Sequence, residues 1–297
     1  MSNKPRKMTL EKKHNLTGWA FLAPATFLIA VFSFWPMIKA LVLSFQTGKG
    51  RNMQMAGFTN YIRLFQDDVF IQSIKNTFFY FILQVPIMLV VAMVLACILN
   101  KKDLRFKGFF RTMIFLPCTT SLVAYSIIFR SLFANDGLVN YVLVNLGILD
   151  KPYNFLTQPF AAKMVIILAL LWRWTGYNMV FFLSGLQNIE YSVYEAAKID
   201  GASAIQTFFK ITVPLLKPTI LLTAIMSTNG TLQLFDESIN LTDGGPANAS
   251  ISMSHYIYNL CFKYVPNFGY AAAMSFFILL LVAVLAFIQM RGGDKRD

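Results

Sequence analysis

Apolar positions in this chain run in long blocks instead of recurring at the spacing of a soluble helix or strand. Residues 16–38, 76–100, 112–129 and 264–290 carry no charge. Residues 164–189 carry one, Arg173, and 218–235 carry none before Asp236. Each block reaches or approaches the roughly 20 residues that cross about 30 Å of hydrocarbon. Lipid offers a backbone group no hydrogen-bonding partner, so each block must be a helix. The pattern therefore predicts an all-α integral membrane protein with six spans. A basic segment precedes the first block, as in a secretion signal. That block is too long for a signal's apolar region, and no small-residue cleavage site follows promptly, so it is read as a retained span.

Composition agrees with the pattern: apolar residues make up 56% of the chain and charged residues 13%, about half of a soluble domain's share. The net charge of +12 would point to nucleic acid in a soluble protein, but its distribution gives another account. Lys4, Arg6, Lys7, Lys12 and Lys13 precede the first span, and Lys101, Lys102, Arg105, Lys107 and Arg111 follow the second. Lys198, Lys210 and Lys217 follow the fourth, and Arg291, Lys295 and Arg296 follow the sixth. With six spans these segments share one side, and positive charge is retained in the cytoplasm. Residues 1–15 and 291–297 are thus expected to be cytoplasmic tails flanking a six-span membrane domain at 16–290, with no nucleic-acid partner.

The connections differ in kind. Residues 46–75, 134–160 and 242–263 are external segments, the last opened by the turn-forming run Asp243-Gly244-Gly245-Pro246. The cytoplasmic connection 187–217 instead holds Tyr194-Glu195-Ala196-Ala197-Lys198, a helix-forming stretch, then Gly201 and an apolar-basic run to Pro214 and Pro218. It reads as a short helix, a turn and a second short helix leading into the membrane.

Glu195-Ala196-Ala197, Gly201 four positions on, Ile211 and Val213-Pro214 resemble the EAA motif of binding-protein-dependent ABC importer permeases. The one departure is Val213, where leucine is usual. Phe58-Thr59-Asn60-Tyr61, Asn76-Thr77, Leu116-Pro117, Gln233-Leu234-Phe235-Asp236 and Leu241-Thr242-Asp243-Gly244-Gly245-Pro246 extend the resemblance to carbohydrate-type permeases similar to the maltose and glycerol-3-phosphate systems, without the maltose permease's large external insertion. The resemblance implies a type I importer permease fold over residues 16–290, in a bacterial inner or plasma membrane, with a coupling helix near residues 190–206. It also implies a sister permease forming a heterodimer, two ATPase subunits holding ATP and Mg, and an extracytoplasmic solute-binding protein. No cofactor or metal is expected in this chain itself. Glu195, Ala196, Ala197, Gly201 and Pro214 would then couple to an ATPase: small side chains seat a helix deeply, and Gly201 permits a tight turn or a close backbone approach.

The fifth block holds Ser227, Thr228, Asn229, Thr231, Gln233 and Asp236, and positions 229, 233, 236 and 240 would share one helical face. In the fourth block, Trp172, Arg173, Trp174, Thr175, Tyr177 and Asn178 set aromatic rings beside amides, a combination suited to sugar faces. Thr175, Tyr177, Asn178, Ser227, Asn229, Thr231, Gln233 and Asp236 are accordingly the candidate solute path. The competing reading for such polar residues is hydrogen bonding between helices.

Nothing catalytic emerges. Gly48-Lys49-Gly50 lacks the upstream glycine and following Ser or Thr of a phosphate loop, and neither H-E-x-x-H nor G-x-S-x-G occurs. Cys97, Cys118 and Cys261 form no metal or disulfide spacing, and His14 and His255 read as ordinary polar surface. A membrane enzyme is disfavoured by the missing site. A self-sufficient secondary carrier would call for coupling acids at the midplane, whereas Asp236 and Glu237 lie toward the outer end of their span. The identity of the solute stays open among sugars, oligosaccharides, polyols and glycerol phosphates.

Overall fold

A computed structural model describes residues 10–49, 52–101 and 103–293. Residues 1–9 and 294–297 of the two expected tails, Gly50 of the Gly-Lys-Gly run, and Lys102 lie outside the described residues.

In chain order, α1 (Leu10–Ile29) runs through a π-helical turn (Ala30–Phe34) into α2 (Trp35–Ser44). A hairpin of β1 (Gln46–Lys49) and β2 (Asn52–Met55) leads to α3 (Thr59–Leu64) and the long α4 (Asp68–Asn100). Then come α5 (Lys107–Thr119), α6 (Leu122–Leu132), α7 (Leu138–Asn145) and α8 (Pro159–Gln187). The connection 187–217 forms α9 (Tyr191–Ile199), α10 (Ala204–Thr207), a π-helical turn (Phe208–Thr212) and α11 (Val213–Leu215). Finally α12 (Lys217–Leu232), α13 (Asp236–Thr242), α14 (Met253–Tyr258) and α15 (Phe268–Gly293) complete the chain.

The paired helices α4 and α8 form the spine. At one level Tyr80 packs with Val165, Ile166, Ile167, Ala169 and Leu170 of α8, joined by Tyr125, Phe129, Leu234 and Leu241. At the other, Ala92, Met93, Ala96 and Leu99 meet Met179, Phe182, Leu183, Leu186 and Leu216. Helix α5 crosses α8 backbone to backbone at Gly176, where an added Cβ would stand 1.9 Å from the Ile114 carbonyl oxygen. Close approach at small residues is how helices associate where lipid removes the hydrophobic drive between them.

The six apolar blocks are all helical, but not as six simple rods. Residues 10–44, 68–100, 159–187 and 268–293 are long and apolar enough to cross a membrane. The other two spans are bent pairs: Lys107–Thr119 with Leu122–Leu132 at 98°, and Ala204–Leu215 with Lys217–Leu232 at 70°. Counting each pair as one span gives the six expected. Pro214 and Pro218 explain the second bend, since each removes a backbone donor and crowds the preceding turn.

Two further expectations need correction. The fifth span ends at Leu232 and α13 begins only at Asp236, so positions 229, 233, 236 and 240 do not lie on one continuous helix. His255, expected at the surface, has no solvent exposure at all. By contrast, α1 is exposed at every residue whose side chain is described, while α2 packs on α15.

Candidate functional site

Where the broken end of α12 faces α4 and α8, the chain encloses a cavity of about 300 Å³. Tyr177 and Asn178 enter from α8, Ser227 and Thr231 from α12, and Gln233 and Asp236 from the break and α13. Six of the eight candidate path residues thus meet in one place. Thr175 is buried elsewhere, and Asn229 turns to a second cavity, between α12, α14 and α15, which Gln233 also reaches.

Several of these groups serve both readings that the sequence left open. Thr231 Oγ1 donates to Gln84 Oε1 at 2.9 Å, and Ser227 Oγ lies 3.4 Å from Asn178 Oδ1, both across helix interfaces. Asn178 also donates to the Trp174 carbonyl at 3.0 Å. Gln233 Nε2 donates to Asn229 Oδ1 at 2.5 Å, and both residues are exposed. Thr228, in contrast, is a bundle contact, accepting from Gln289 at 2.7 Å. Trp174, in edge contact with Tyr177 at 5.8 Å, supplies an aromatic wall, and Gln84, Met88 and Glu237 are among the other lining residues.

Behind that wall lies a buried polar network which sequence reasoning missed. Arg173, 5% exposed, donates to the carbonyls of Pro117 (3.2 Å) and Thr120 (2.7 Å) and to Thr120 Oγ1 (3.1 Å). The Pro117 carbonyl also accepts from Thr120 N and Oγ1, whereas the Thr120 carbonyl, at the break between α5 and α6, has Arg173 as its donor among the described residues. The single charge in the fourth block therefore satisfies the bend in the third, as a charge inside a bundle must find partners. Its guanidinium sits 4.8 Å from the Tyr125 ring centre, and the Tyr125 hydroxyl donates to the carboxylate of Glu237. The lone arginine was visible in the sequence; its partners, 53 and 56 residues away, were not.

Above the cavity the Asp243-Gly244-Gly245-Pro246 loop is pinned from below. Asn76 donates to the carbonyls of Asn248 (3.1 Å) and Ile251 (2.9 Å), and Tyr80 to that of Ser250 (3.0 Å). Ser252 donates to the Leu234 carbonyl at 2.5 Å, closing the gap between α12 and α13. His255 Nδ1 lies 2.9 Å from Ser238 Oγ, while Nε2 is 3.7 Å from Asp243, itself bridged to Lys263 at 2.9 Å. Burial pushes the His255 pKa down from 6.5 to about 4, against the opposing pull of Asp243. Asp67 closes the outer end: one carboxylate oxygen caps α4 at Val69 and Phe70, and the other accepts from the Tyr256 (2.7 Å) and Tyr270 (2.8 Å) hydroxyls.

At the opposite end, α9 carries the EAA segment. Ala197 is buried, whereas Glu195, Ala196 and Pro214 are exposed. Gly201 has φ +74°, and two bonds close the turn: Gly201 N to the Lys198 carbonyl (3.2 Å) and Ala202 N to that of Ala197 (2.9 Å). This is a Schellman ending. An added Cβ on Gly201 would meet nothing within 4 Å, so within this chain the residue serves the turn and not a close approach. Ser203 and Gln206 then form a reciprocal capping box that starts α10. A cleft of about 590 Å³ beneath α9 is lined by Cys97, Asn100, Tyr191, Tyr194 and Thr212 among others.

Comparison with known proteins accords with this arrangement. The lactose transport system permease protein LacF of Rhizobium radiobacter is 52% identical over 98% of each chain. The sn-glycerol-3-phosphate transport system permease protein UgpA of Agrobacterium fabrum is 30% identical over 95% of this chain and 96% of its own. A chain from a bacterial ABC transporter involved in the import of the acidic polysaccharide alginate shares the fold, with TM-score 0.85 at 24% identity, covering 96% of this chain and 98% of that one. A chain of the bacterial alginate transporter in complex with its alginate pentasaccharide-bound periplasmic protein gives TM-score 0.81 at 26% identity, covering 94% of each. Residues 69–291 match the family described as binding-protein-dependent transport system inner membrane component, and this chain belongs to that family.

Proposed function

We propose that this chain is one of two permease subunits of an ATP-driven importer, forming half of the path for a sugar, oligosaccharide or related polyol or glycerol-phosphate solute. A sister permease supplies the other half, two ATPase subunits hold ATP and Mg, an extracytoplasmic binding protein delivers solute, and both termini are cytoplasmic. The observation that carries the reading is the cavity at the end of α12, where three amides, two aliphatic hydroxyls and two carboxylates converge beside Trp174 and Tyr177. Convergent polar groups on an aromatic wall are what a hydroxyl-rimmed, C–H-faced solute requires.

Coupling follows from continuity. The exposed Glu195 and Ala196 are accompanied by the exposed apolar side chains of Ile199, Ile205 and Phe209, a surface suited to a protein partner. The Schellman turn and capping box join α9 firmly to α10, and the bend at Leu216 joins that unit to α12. A displacement of α9 by ATPase closure would therefore be passed to the end of α12, where Gln233 lines the cavity.

The test uses radiolabelled lactose, chosen for the lactose relative. Gln233→Leu and Asn178→Leu should each remove hydrogen bonds worth about 1 kcal/mol to solute and lower uptake per assembled transporter, with assembly retained. Asn229→Leu, facing the second cavity, should lower it less. Assembly lost while transport per complex stays normal would take these residues off the path.

A further inference from the structure

The relatives' names span neutral and acidic cargo, and the cavity wall discriminates between them. Its lining contains Asp236 and Glu237 and, among the described residues, no lysine, arginine or histidine. Glu237 is 3% exposed and receives the Tyr125 hydroxyl, so its carboxylate is held at the rear. Asp236 is half-buried at the first turn of α13; Asn240 bonds its backbone carbonyl, and no described residue donates to its carboxylate. Arg173 lies outside the lining, bonded to the Pro117 and Thr120 carbonyls, and its charge opposes that of Glu237 at the rear, which leaves Asp236 as the carboxylate facing the cavity with no cation bonded to it among the described residues. The remaining polar groups, Gln84, Tyr177, Asn178, Ser227, Thr231 and Gln233, are neutral.

We infer that this cavity selects by charge: Asp236 accepts uncharged carbohydrate and rejects phosphorylated or uronate-bearing solutes. The inference rests on the cavity being the solute path. At the effective dielectric of about 20 that suits protein sites, a carboxylate within about 10 Å of a charged solute alters its affinity by more than tenfold. Amides and hydroxyls supply hydrogen bonds to either kind of solute, so the carboxylate decides between them.

The sign of the potential is measurable without knowing the solute. In the assembled transporter with Cys97, Cys118 and Cys261 replaced by alanine, Ser227→Cys places a thiol in the cavity. Its modification by the cationic trimethylammonioethyl methanethiosulfonate is compared with that by the anionic sulfonatoethyl reagent, each rate normalised to a free thiol in the same buffer. We expect the cationic reagent to be favoured about tenfold or more at low salt. Asp236→Asn should bring that preference to within about threefold of unity, while Asp243→Asn, on the outer loop, should leave it unchanged. Lactose should slow the modification and lactose 6-phosphate should not. A ratio near one, or a ratio that survives Asp236→Asn, overturns the inference even where lactose protects. A tenfold ratio with protection by neither sugar instead overturns the path reading, and the substrate class falls with it.

Discussion

The two ends of this molecule are held in opposite ways. The segment from Tyr191 to Leu215, proposed above to couple to an ATPase, is closed by short-range bonds: Gly201 to Lys198, Ala202 to Ala197, and Ser203 with Gln206. Its key side chains, Glu195 and Ala196, face outward. The outer layer around α13 and α14 is bonded across the chain, with separations of 172 and 175 residues for the Asn76 bonds, 170 for Tyr80 and 203 for Tyr270 to Asp67. Ser238, Ser250, Ser252 and His255 are all fully buried. A locally stapled element keeps its own shape while it moves as a unit against a partner. A layer cross-linked through buried hydrogen bonds holds the mouth of the cavity rigid, because each bond lost leaves a buried polar group unpaired.

That contrast breaks most readily at Asp67. Asp67→Ala removes the cap of α4 and orphans the Tyr256 and Tyr270 hydroxyls together. The expected loss is about 3–5 kcal/mol, read as a large fall in the melting temperature of the purified transporter. Arg173→Met comes next. The Thr120 carbonyl and hydroxyl at the α5–α6 break lose the guanidinium, while the Pro117 carbonyl keeps its bonds from Thr120, for about 2–4 kcal/mol, and Arg173→Lys should recover part of it. An unchanged melting temperature in Arg173→Met would mean that the bend holds itself.

What the sequence made legible divides along the same line. Six apolar blocks and their basic flanks appear directly as helices, because hydrophobic length is written residue by residue. The helix–turn–helix of the coupling segment was equally readable from Glu195-Ala196-Ala197, Gly201 and Pro214, since its bonds close within a few positions. The 98° bend after Thr119 was hidden, because Thr120 and Ser121 look like any polar pair in an apolar block and their stabiliser sits on α8. The stop at Leu232 was hidden too: no proline marks it, and the Ser252 bond to Leu234 comes from 18 residues downstream. His255 looked superficial because nothing local shows that α14 folds beneath the Gly-Gly-Pro loop.

His255 supplies a smaller and pH-dependent effect. The unfolded chain takes up a proton near pH 6.5, whereas burial holds the folded imidazole neutral down to about 4. Protons therefore bind the unfolded state first. Stability is full above about pH 6.5 and falls as the pH drops toward 4, by about 2–3 kcal/mol in all. Asp243 favours the protonated ring and Lys263 opposes it, so Asp243→Asn should deepen the fall. Melting temperatures across that range should show the slope, and His255→Gln should flatten it; an equal slope in His255→Gln would assign the effect to other groups.

The smallest effect on stability, about 1 kcal/mol, is expected at Gly201, and it is the one that separates shape from docking. With φ at +74°, any L side chain there pays a left-handed penalty of roughly 1–2 kcal/mol, which Asn and Asp relieve in part. Space inside this chain is not limiting, because nothing stands within 4 Å of an added Cβ. If Gly201 mattered only for the turn, Gly201→Ala should impair uptake more than Gly201→Asp, following the left-handed preference. If the turn also presents its surface to an ATPase, the order reverses. Gly201→Asp then places a desolvated charge in the contact, stops uptake and loosens the ATPases, while Gly201→Ala is only partly impaired. We expect the reversed order, with Glu195→Ala weakening coupling less completely than Gly201→Asp. The measurement is uptake and retained ATPase on the same membranes, with melting temperature confirming that both glycine variants stay folded. Lower uptake by the Ala variant than by the Asp variant, with the ATPases still bound, would confine Gly201 to its turn.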